Sequence, residues 1–421
     1  MASVTPPRGM RDFLPVEKAR REQVLSIIRA SYLGQGFDEI ETPVMEDASR
    51  LHSGLGGDNE KLAFAVMKRG LSSDDLRAAA DSDDALSLAD LGLRFDLTVP
   101  LARFYASHRA ELPPVFRAIQ IAPVWRAERP QKGRFRQFVQ CDIDIIGEAG
   151  QLAELELLSA TTATLAALGL TGCTIRINDR RILTGLLHSW GVPAEAHGRV
   201  LITIDKLDKL GPTGVAEELA SLDVAPTFAD TSNIATTLTE LGAADWSLLA
   251  AAPSWLDQAA YQDLLAIRSA LPGSILEFDP TLVRGMGYYT GTIFEIAHPE
   301  VPYSLGGGGR YDGMIGRFLG QDVPACGFSI GFERIVDLVE LSGSVSAESA
   351  AVLFEPGEDP ARLIQLKSAL SQQELRIRLE PRAKNQRAQL DRLASEGFTR
   401  FAVLTPGAPA DAATLEFRDL S

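Results

Sequence analysis

Apolar positions along the chain change spacing several times. Behind the breakers Pro6, Pro7 and Pro15, apolar residues from Val16 to Gly34 recur at three and four, which predicts a helix. The runs then shorten. Phe37 to Val44 and Leu93 to Leu97 read as strands, and Val115 to Trp125 with Phe135 to Ile146 reads as a long hairpin. Between them, the acidic and serine-rich piece from Ser72 to Leu88 reads as a surface excursion. An Ala/Leu-rich helix over Leu152 to Leu168 leads into an extended Thr174 to Asn178, and helical spacing then prevails to about Pro272. Extended patterns return between Ile275 and Ile296, and a glycine-dense turn at Gly306 to Gly309 precedes a helical run to about Leu341. The end of the chain alternates: strands at Ala351 to Phe354, Leu375 to Leu379 and Arg400 to Leu404, with helices from Pro360 and Asn385. Such alternation indicates a small α/β domain.

The pattern predicts a mixed α+β protein with a core built from residues 1–170 and 271–341. Residues 171–270 form a connecting segment and helical insertion, 342–350 a linker, and 351–421 the α/β domain. A length of 421 residues at 45% apolar composition can bury that much core. No run of 18 apolar residues occurs, and Met1 to Pro15 lacks the apolar centre of a signal peptide, so neither secretion nor a membrane partner is expected. The three cysteines and five histidines show no ligand spacing. A disulfide framework and a metal held by protein side chains are therefore not expected, and a reducing cytoplasm is.

The formal charge of −15 argues against a protein that grips nucleic acid over its whole surface. That charge is unevenly spread. From Ala361 to Ser421 ten basic residues stand against seven acidic ones, a balance of +3, which leaves −18 on residues 1–360.

The hairpin carries the most chemistry. Alternation along its second strand puts Arg134, Arg136, Phe138, Gln140, Asp142 and Asp144 on one face and Val139, Cys141, Ile143 and Ile145 on the other. Its tip concentrates Arg126, Arg129, Lys132, Arg134 and Arg136. Guanidinium groups bind phosphate oxygens bidentately, so this turn suits a polyphosphate or a nucleic-acid end, or else is a solvated charged hairpin. A second cluster, Arg284-Gly285-Met286-Gly287-Tyr288-Tyr289, joins two glycines that let backbone approach a ligand to one arginine and two hydroxyls that can orient a polar substrate. The third, Gly306-Gly307-Gly308-Gly309-Arg310-Tyr311-Asp312-Gly313, matches neither the P-loop nor the dinucleotide fingerprint.

Taken together these segments resemble the histidyl-tRNA synthetases, a family of class II aminoacyl-tRNA synthetases. Gly36 to Pro43 resembles motif 1, Trp125 to Arg134 with Arg136-Gln137-Phe138 resembles motif 2, and Gly327 to Arg334 resembles motif 3; the Arg284 and Gly306 clusters are similar to the two signatures of the histidyl members. The resemblance implies a six- or seven-stranded antiparallel sheet flanked by helices, with a helical insertion and a C-terminal anticodon-binding domain. It also implies a homodimer, ATP and Mg2+ as cofactors, and L-histidine and tRNA(His) as partners. Histidine would attack the α-phosphate of ATP, and the histidyl group would then pass to the 3′ end of the tRNA. By position, Arg126 and Arg284 would be catalytic, with Arg126, Glu128, Arg134 and Arg334 on ATP. Asp96, Leu97, Thr98, Arg126, Gln140, Asp144, Arg284, Tyr288 and Tyr289 would surround histidine, and Gln131 and Lys132 would meet the tRNA acceptor end.

Gly287 stands where the family usually has an acid, Asp96 and Asp144 are one methylene shorter than the glutamates of many bacterial members, and the tail reads as a shortened anticodon domain without its last helix. The same fold serves a regulatory paralogue, the partner subunit of ATP phosphoribosyltransferase in histidine biosynthesis, which binds histidine without charging tRNA. Those paralogues generally lose motif arginines, whereas Arg126, Arg134, Arg284 and Arg334 are all present here.

Overall fold

A computed structural model describes residues 4–52, 62–130, 133–251, 253–273, 276–284, 288–341, 349–372, 375–405 and 415–420. It contains two compact units, one of Met1–Arg11 with Val24–Glu340 and the other of Asp12–Gln23 with Leu341–Ser421.

In the larger unit the strands are β1 (Asp38–Glu39), β2 (Met45–Asp47), β3 (Phe64–Met67), β4 (Ala89–Leu93), β5 (Phe116–Trp125), β6 (Gln137–Ile146), β7 (Thr174–Asp179), β8 (Leu276–Phe278), β9 (Thr292–His298), β10 (Val301–Arg310) and β11 (Ala325–Gly331). Eight of them form one sheet in the order β1-β5-β6-β11-β10-β9-β7-β8, and β2-β4-β3 form a small second sheet. The large sheet is antiparallel except at its two edges, where β1 runs parallel to β5 and β8 parallel to β7. It thus has more strands than the six or seven expected, because the crossovers at both ends each lay down a short parallel edge strand.

The hairpin forms as its alternation predicts, with Trp125 opposite Gln137 and Phe116 opposite Ile146. Cys141, Ile143 and Ile145 are fully buried on its apolar face. Over the sheet, the helices Thr98–His108 and Asp312–Leu319 close a core that includes Phe95, Leu101, Tyr105, Tyr311, Met314 and Ile315. Helices between Arg180 and Ala270 form a second core around Leu187, Trp190, Leu219 and Phe228, which also takes in Leu282, Val283 and Ile293.

Several sequence expectations need correction. The strand expected at Phe37 to Val44 shrinks to Asp38–Glu39, and the one expected at Leu93 to Leu97 ends at Leu93, where a helix entered through Leu97 takes over. The acidic excursion contains a helix, Ser73–Asp81, begun by a capping box between Ser72 and Asp75. The largest change concerns Gly306 to Gly309. These residues form no turn but the second half of β10, paired on one side with Phe294 and Ile296 of β9 and on the other with Phe328 and Ile330 of β11. The run read as helical to Leu341 is interrupted by β11 itself.

In the smaller unit β12 (Ser349–Phe354), β13 (Arg376–Pro381), β14 (Arg400–Val403) and β15 (Arg418–Asp419) assemble in the order β13-β12-β14-β15. Alternation along β12 sends Ala350 and Val352 to a core with Leu366 and Leu370, and Ala351 and Leu353 to one with Leu393 and Phe398. β12 begins at Ser349, inside the stretch read as linker, whose residues 342–348 lie outside the described residues.

Glycine at the centre of a sheet normally weakens it, and here close packing demands it. A Cβ on Gly308 would lie 1.9 Å from the Gly327 carbonyl oxygen, whereas one on Gly313 would meet nothing within 4 Å. Gly308→Ala should therefore destabilise the protein by at least about 3 kcal/mol, and Gly313→Ala by almost nothing, read as the difference in denaturant midpoint between the two variants and the parent.

Candidate active site

The polar face of the hairpin, the glycine strand and the Arg284 segment enclose one cavity of about 680 Å³. Its wall takes residues from β6, β7, β9, β10 and β11, whose ladder hydrogen bonds hold Asp142, Asp144, Arg176 and Glu295 on rigid elements.

One side is acidic and buried. Asp144 and Asp142 point from alternate positions of β6, and Asp96 from the turn before the Thr98–His108 helix, where its Oδ1 accepts from Val99 N at 3.1 Å. The Tyr311 hydroxyl donates to Asp144 Oδ1 at 2.6 Å. Burial pushes the Asp144 carboxyl up to about 7, the Tyr311 hydrogen bond opposing and the Asp96 charge adding to the rise. Asp142 is driven well above the usual carboxylate range by burial and then by Asp144. Gln140 Nε2 donates to Ser329 Oγ at 3.1 Å and to both Asp142 oxygens at 3.3 Å, while its Oε1 is buried without a partner among the described residues. Tyr288 and Tyr289 close this side, their rings 4.8 Å apart, with Tyr311 5.9 Å beyond Tyr288. Burial raises the titration of all three hydroxyls, so they stay protonated donors.

The other side is cationic. Arg126 Nε donates to the Phe95 carbonyl at 2.9 Å, with its guanidinium 5.1 Å from the Phe138 ring centre. Arg134 reaches Glu128 at 3.3 Å. Arg334 donates to the Ser304 carbonyl at 2.5 Å. Burial, then the like charges of Arg134, Arg284 and Arg126, lower the Arg334 guanidinium from its ordinary value. Four arginines repelling one another at the wall of a partly enclosed cavity make an anion site before any anion arrives.

Among the residues expected at the site, Asp96, Thr98, Arg126, Glu128, Arg134, Gln140, Asp144, Arg284, Tyr288, Tyr289 and Arg334 all line the cavity. Leu97 does not: it is buried behind the site, where its carbonyl accepts from Gln120 Nε2 at 2.9 Å. Gln131, Lys132 and Gly287 lie outside the described residues. Of the remaining hairpin cations, Arg136 braces the turn through the Glu128 carbonyl at 3.0 Å and Arg129 is exposed. Tyr311, Glu295 and Arg176 also line the cavity. Tyr311 stands in the glycine cluster without a role assigned to it there, Glu295 and Arg176 meet only through strand register, and Asp142 was legible because it shares the face of Gln140 and Asp144.

No three His, Cys, Asp or Glu side chains are placed to share a metal ion among the described residues. Cys141, Cys173 and Cys326 are free thiols, and no helix among the described residues is long and apolar enough to cross a membrane.

A family model described as histidyl-tRNA synthetase matches residues 9–335. The chain is 60% identical to a histidine–tRNA ligase of Leifsonia xyli subsp. xyli, covering 99% of both chains. It is 43% identical to a probable histidine–tRNA ligase of Tropheryma whipplei, covering 97% of each. Among solved structures it resembles a histidyl-tRNA synthetase from Nostoc sp. PCC 7120 with a TM-score of 0.75 at 24% identity, covering 100% of this chain and 95% of that one. A structure described as an ATP phosphoribosyltransferase regulatory subunit/histidyl-tRNA synthetase from Bacillus halodurans C gives 0.74 at 20% identity, covering 96% and 99%. Both likenesses, at those identities, speak to fold.

The buried acid has a thermodynamic signature. An unfolded Asp144 titrates near 3.8 and the folded one near 7, so between those values only the folded state holds the proton. Stability present below pH 4 is lost as pH rises through 7. Asp144→Asn, which keeps an acceptor for Tyr311, should melt close to the parent at pH 4 and be more stable by roughly 4 kcal/mol at pH 8, checked by denaturant titration at both pH values.

Proposed function

The chain belongs to the histidyl-tRNA synthetase family, and we propose that its cavity performs that family's two-step ligation on the residues described above. The observation that carries this reading is the segregation of charge inside one cavity, with Asp96, Asp142 and Asp144 on one side and Arg126, Arg134, Arg284 and Arg334 on the other. Histidine and ATP need that division, since one brings N–H donors and an ammonium and the other a polyanion.

In the first step a carboxylate oxygen of histidine attacks the α-phosphorus of ATP, and the bond to the β,γ-pyrophosphate breaks. Displacement at phosphorus depends mainly on positioning and charge neutralisation. Arg126 and Arg284 stand where they can bind the carboxylate and α-phosphate as charge builds on the phosphoryl oxygens. Arg334 and Arg134, the latter with Glu128, hold the rest of the nucleotide. In the second step a ribose hydroxyl at the 3′ end of tRNA(His) attacks the acyl carbon and AMP leaves, with Gln131 and Lys132 at the acceptor end.

The imidazole is read on the acidic side. Asp144, already bonded to Tyr311, accepts from one ring nitrogen, and the hydroxyls of Tyr288 and Tyr289 can donate to the other. Thr98, Asp96 and the partnerless Gln140 Oε1 face the ammonium. An amino acid lacking the ring N–H leaves buried groups unsatisfied, which is the costly kind of mismatch. Mg2+ accompanies ATP in this reading as an ion carried chiefly by phosphate oxygens, and no step requires a protein-held metal. Motif 1 supports a homodimer, and the absence of paired thiols among its three cysteines fits a cytoplasmic enzyme.

Histidine-dependent ATP–pyrophosphate exchange followed by charging of tRNA(His) tests the proposal; a regulatory paralogue of the same fold would pass neither. Arg284→Ala should lower exchange by at least about 100-fold while leaving the thermal midpoint within a few degrees of the parent. Near-parental exchange by that folded variant would remove Arg284 from the catalytic set.

A further inference from the structure

Arg284 lies on an irregular segment that leaves β8, and the strands around it supply what holds it. Asp279 Oδ1 accepts from the backbone and hydroxyl of Thr281 at 2.9 and 2.6 Å, and the buried Asn178 Nδ2 donates to the Leu282 carbonyl at 3.1 Å. The guanidinium itself meets Glu295, Nη1 to Oε2 at 2.5 Å. The other oxygen of the same carboxylate accepts from Arg176 Nη2, also at 2.5 Å. Arg176 and Glu295 are direct cross-strand partners in the β7–β9 ladder, so the carboxylate is fixed by its register.

We propose that Glu295, itself held by Arg176, is a positioning residue for Arg284: it binds one edge of the guanidinium and presents the remaining donors to the reacting carboxylate and phosphate. The inference rests on the assignment of Arg284 to the chemical step. Three observations carry it. Both oxygens of one carboxylate are spent on two arginines, so losing it releases both. Arg284 Nε is a buried donor without a partner among the described residues, as expected of a group kept for a ligand. A Cβ on Gly307 would stand 2.8 Å from Arg284 Cζ, so the guanidinium is confined against the β10 backbone and has one orientation to be held in.

The other contacts of Arg176 are weaker candidates for this role. Asp279 and Asp208 lie 3.4 Å away, and the Asp208 side chain is 69% exposed, so its pull is largely screened. Glu295, at 12% exposure, is the dominant anion for both cations. Without it Arg284 would face the like charge of Arg334 with the weaker attraction of Asp205 to offset it.

The test uses the full chain and histidine-dependent ATP–pyrophosphate exchange with Glu295→Gln, Arg284→Lys and the double variant. Glu295→Gln is expected to lower kcat by about 10- to 100-fold with KM for ATP and histidine changed less than about twofold. On the Arg284→Lys background the same substitution should cost less than about threefold, because the fork it orients is gone. Arg176→Lys, which leaves the Glu295 carboxylate in place, should fall between parent and Glu295→Gln, and it carries the same comparison should Glu295→Gln not fold. Equal losses on both backgrounds, a loss confined to KM, or unchanged exchange by Glu295→Gln would overturn the inference. Unchanged exchange by Arg284→Lys and Arg284→Ala would instead overturn the reading of Arg284 beneath it.

Discussion

The site depends on backbone that carries no side chains. Where β10 passes between β9 and β11, Cβ atoms would collide with the neighbouring strands or with the groups that line the cavity. A Cβ on Gly327 would lie 1.9 Å from Asp144 Oδ1, and one on Gly307 within 3 Å of the Arg284 guanidinium. The volume that a substrate could occupy, and the volume that Asp144 and Arg284 already occupy, is therefore space left by missing methyl groups at the middle of the sheet. The ladder offsets the weak strand preference of glycine, because both edges of β10 are paired along the glycine run.

That constraint also explains how opposite charges share a cavity without cancelling. The carboxylates stand on β6 and the turn before the Thr98–His108 helix, and the arginines on the hairpin end, the Arg284 segment and the Phe332–Ile335 helix, with glycine backbone between. Asp142 and Asp144 enter no ion pair with the four arginines among the described residues; Arg284 is paired instead with a carboxylate from another strand, Glu295. Arg134 takes Glu128, while Glu333 is drawn away by Arg11 and by Val139 N. Burial then sets the two sides against their normal protonation, raising Asp144 toward neutrality and lowering Arg334. Each shift is relieved by a ligand of the right sign, so substrate binding and charge relief reinforce one another. A formal charge of −15 for the whole chain is silent on this, since the relevant balance is local to a few residues.

Much of this was legible along the chain, and the failures have physical causes. Alternation placed Gln140, Asp142 and Asp144 together because a long regular hairpin obeys a period of two whatever its surroundings. The tail was equally readable, since its strands and helices alternate and Asp359 and Asn385 cap the helices at the expected boundaries. Gly306 to Gly309 misled because glycine marks turns by local preference, while here it answers a non-local requirement imposed by β11 and Arg284. The Thr98–His108 helix was hidden by Pro100, which breaks helices in their interior but is tolerated in the first turn. Leu97 was placed at the site by its neighbours Asp96 and Thr98, yet as the residue preceding the helix it turns inward.

The pair that chain reading could least anticipate is Arg176 with Glu295, separated by 119 positions and joined only by the register of β7 against β9. Adjacent strands β7, β9 and β10 each give one feature to Arg284: Asn178 pins the carbonyl two residues before it, Glu295 binds its guanidinium, and Gly307 leaves the room in which it lies. The segment that carries it also buries Leu282 and Val283 in the core of the helices between Arg180 and Ala270. An arginine on an irregular stretch thereby acquires the precision of a strand residue, and the helical insertion contributes to that precision through packing. Chain connectivity supplies the cation, and the sheet supplies its orientation.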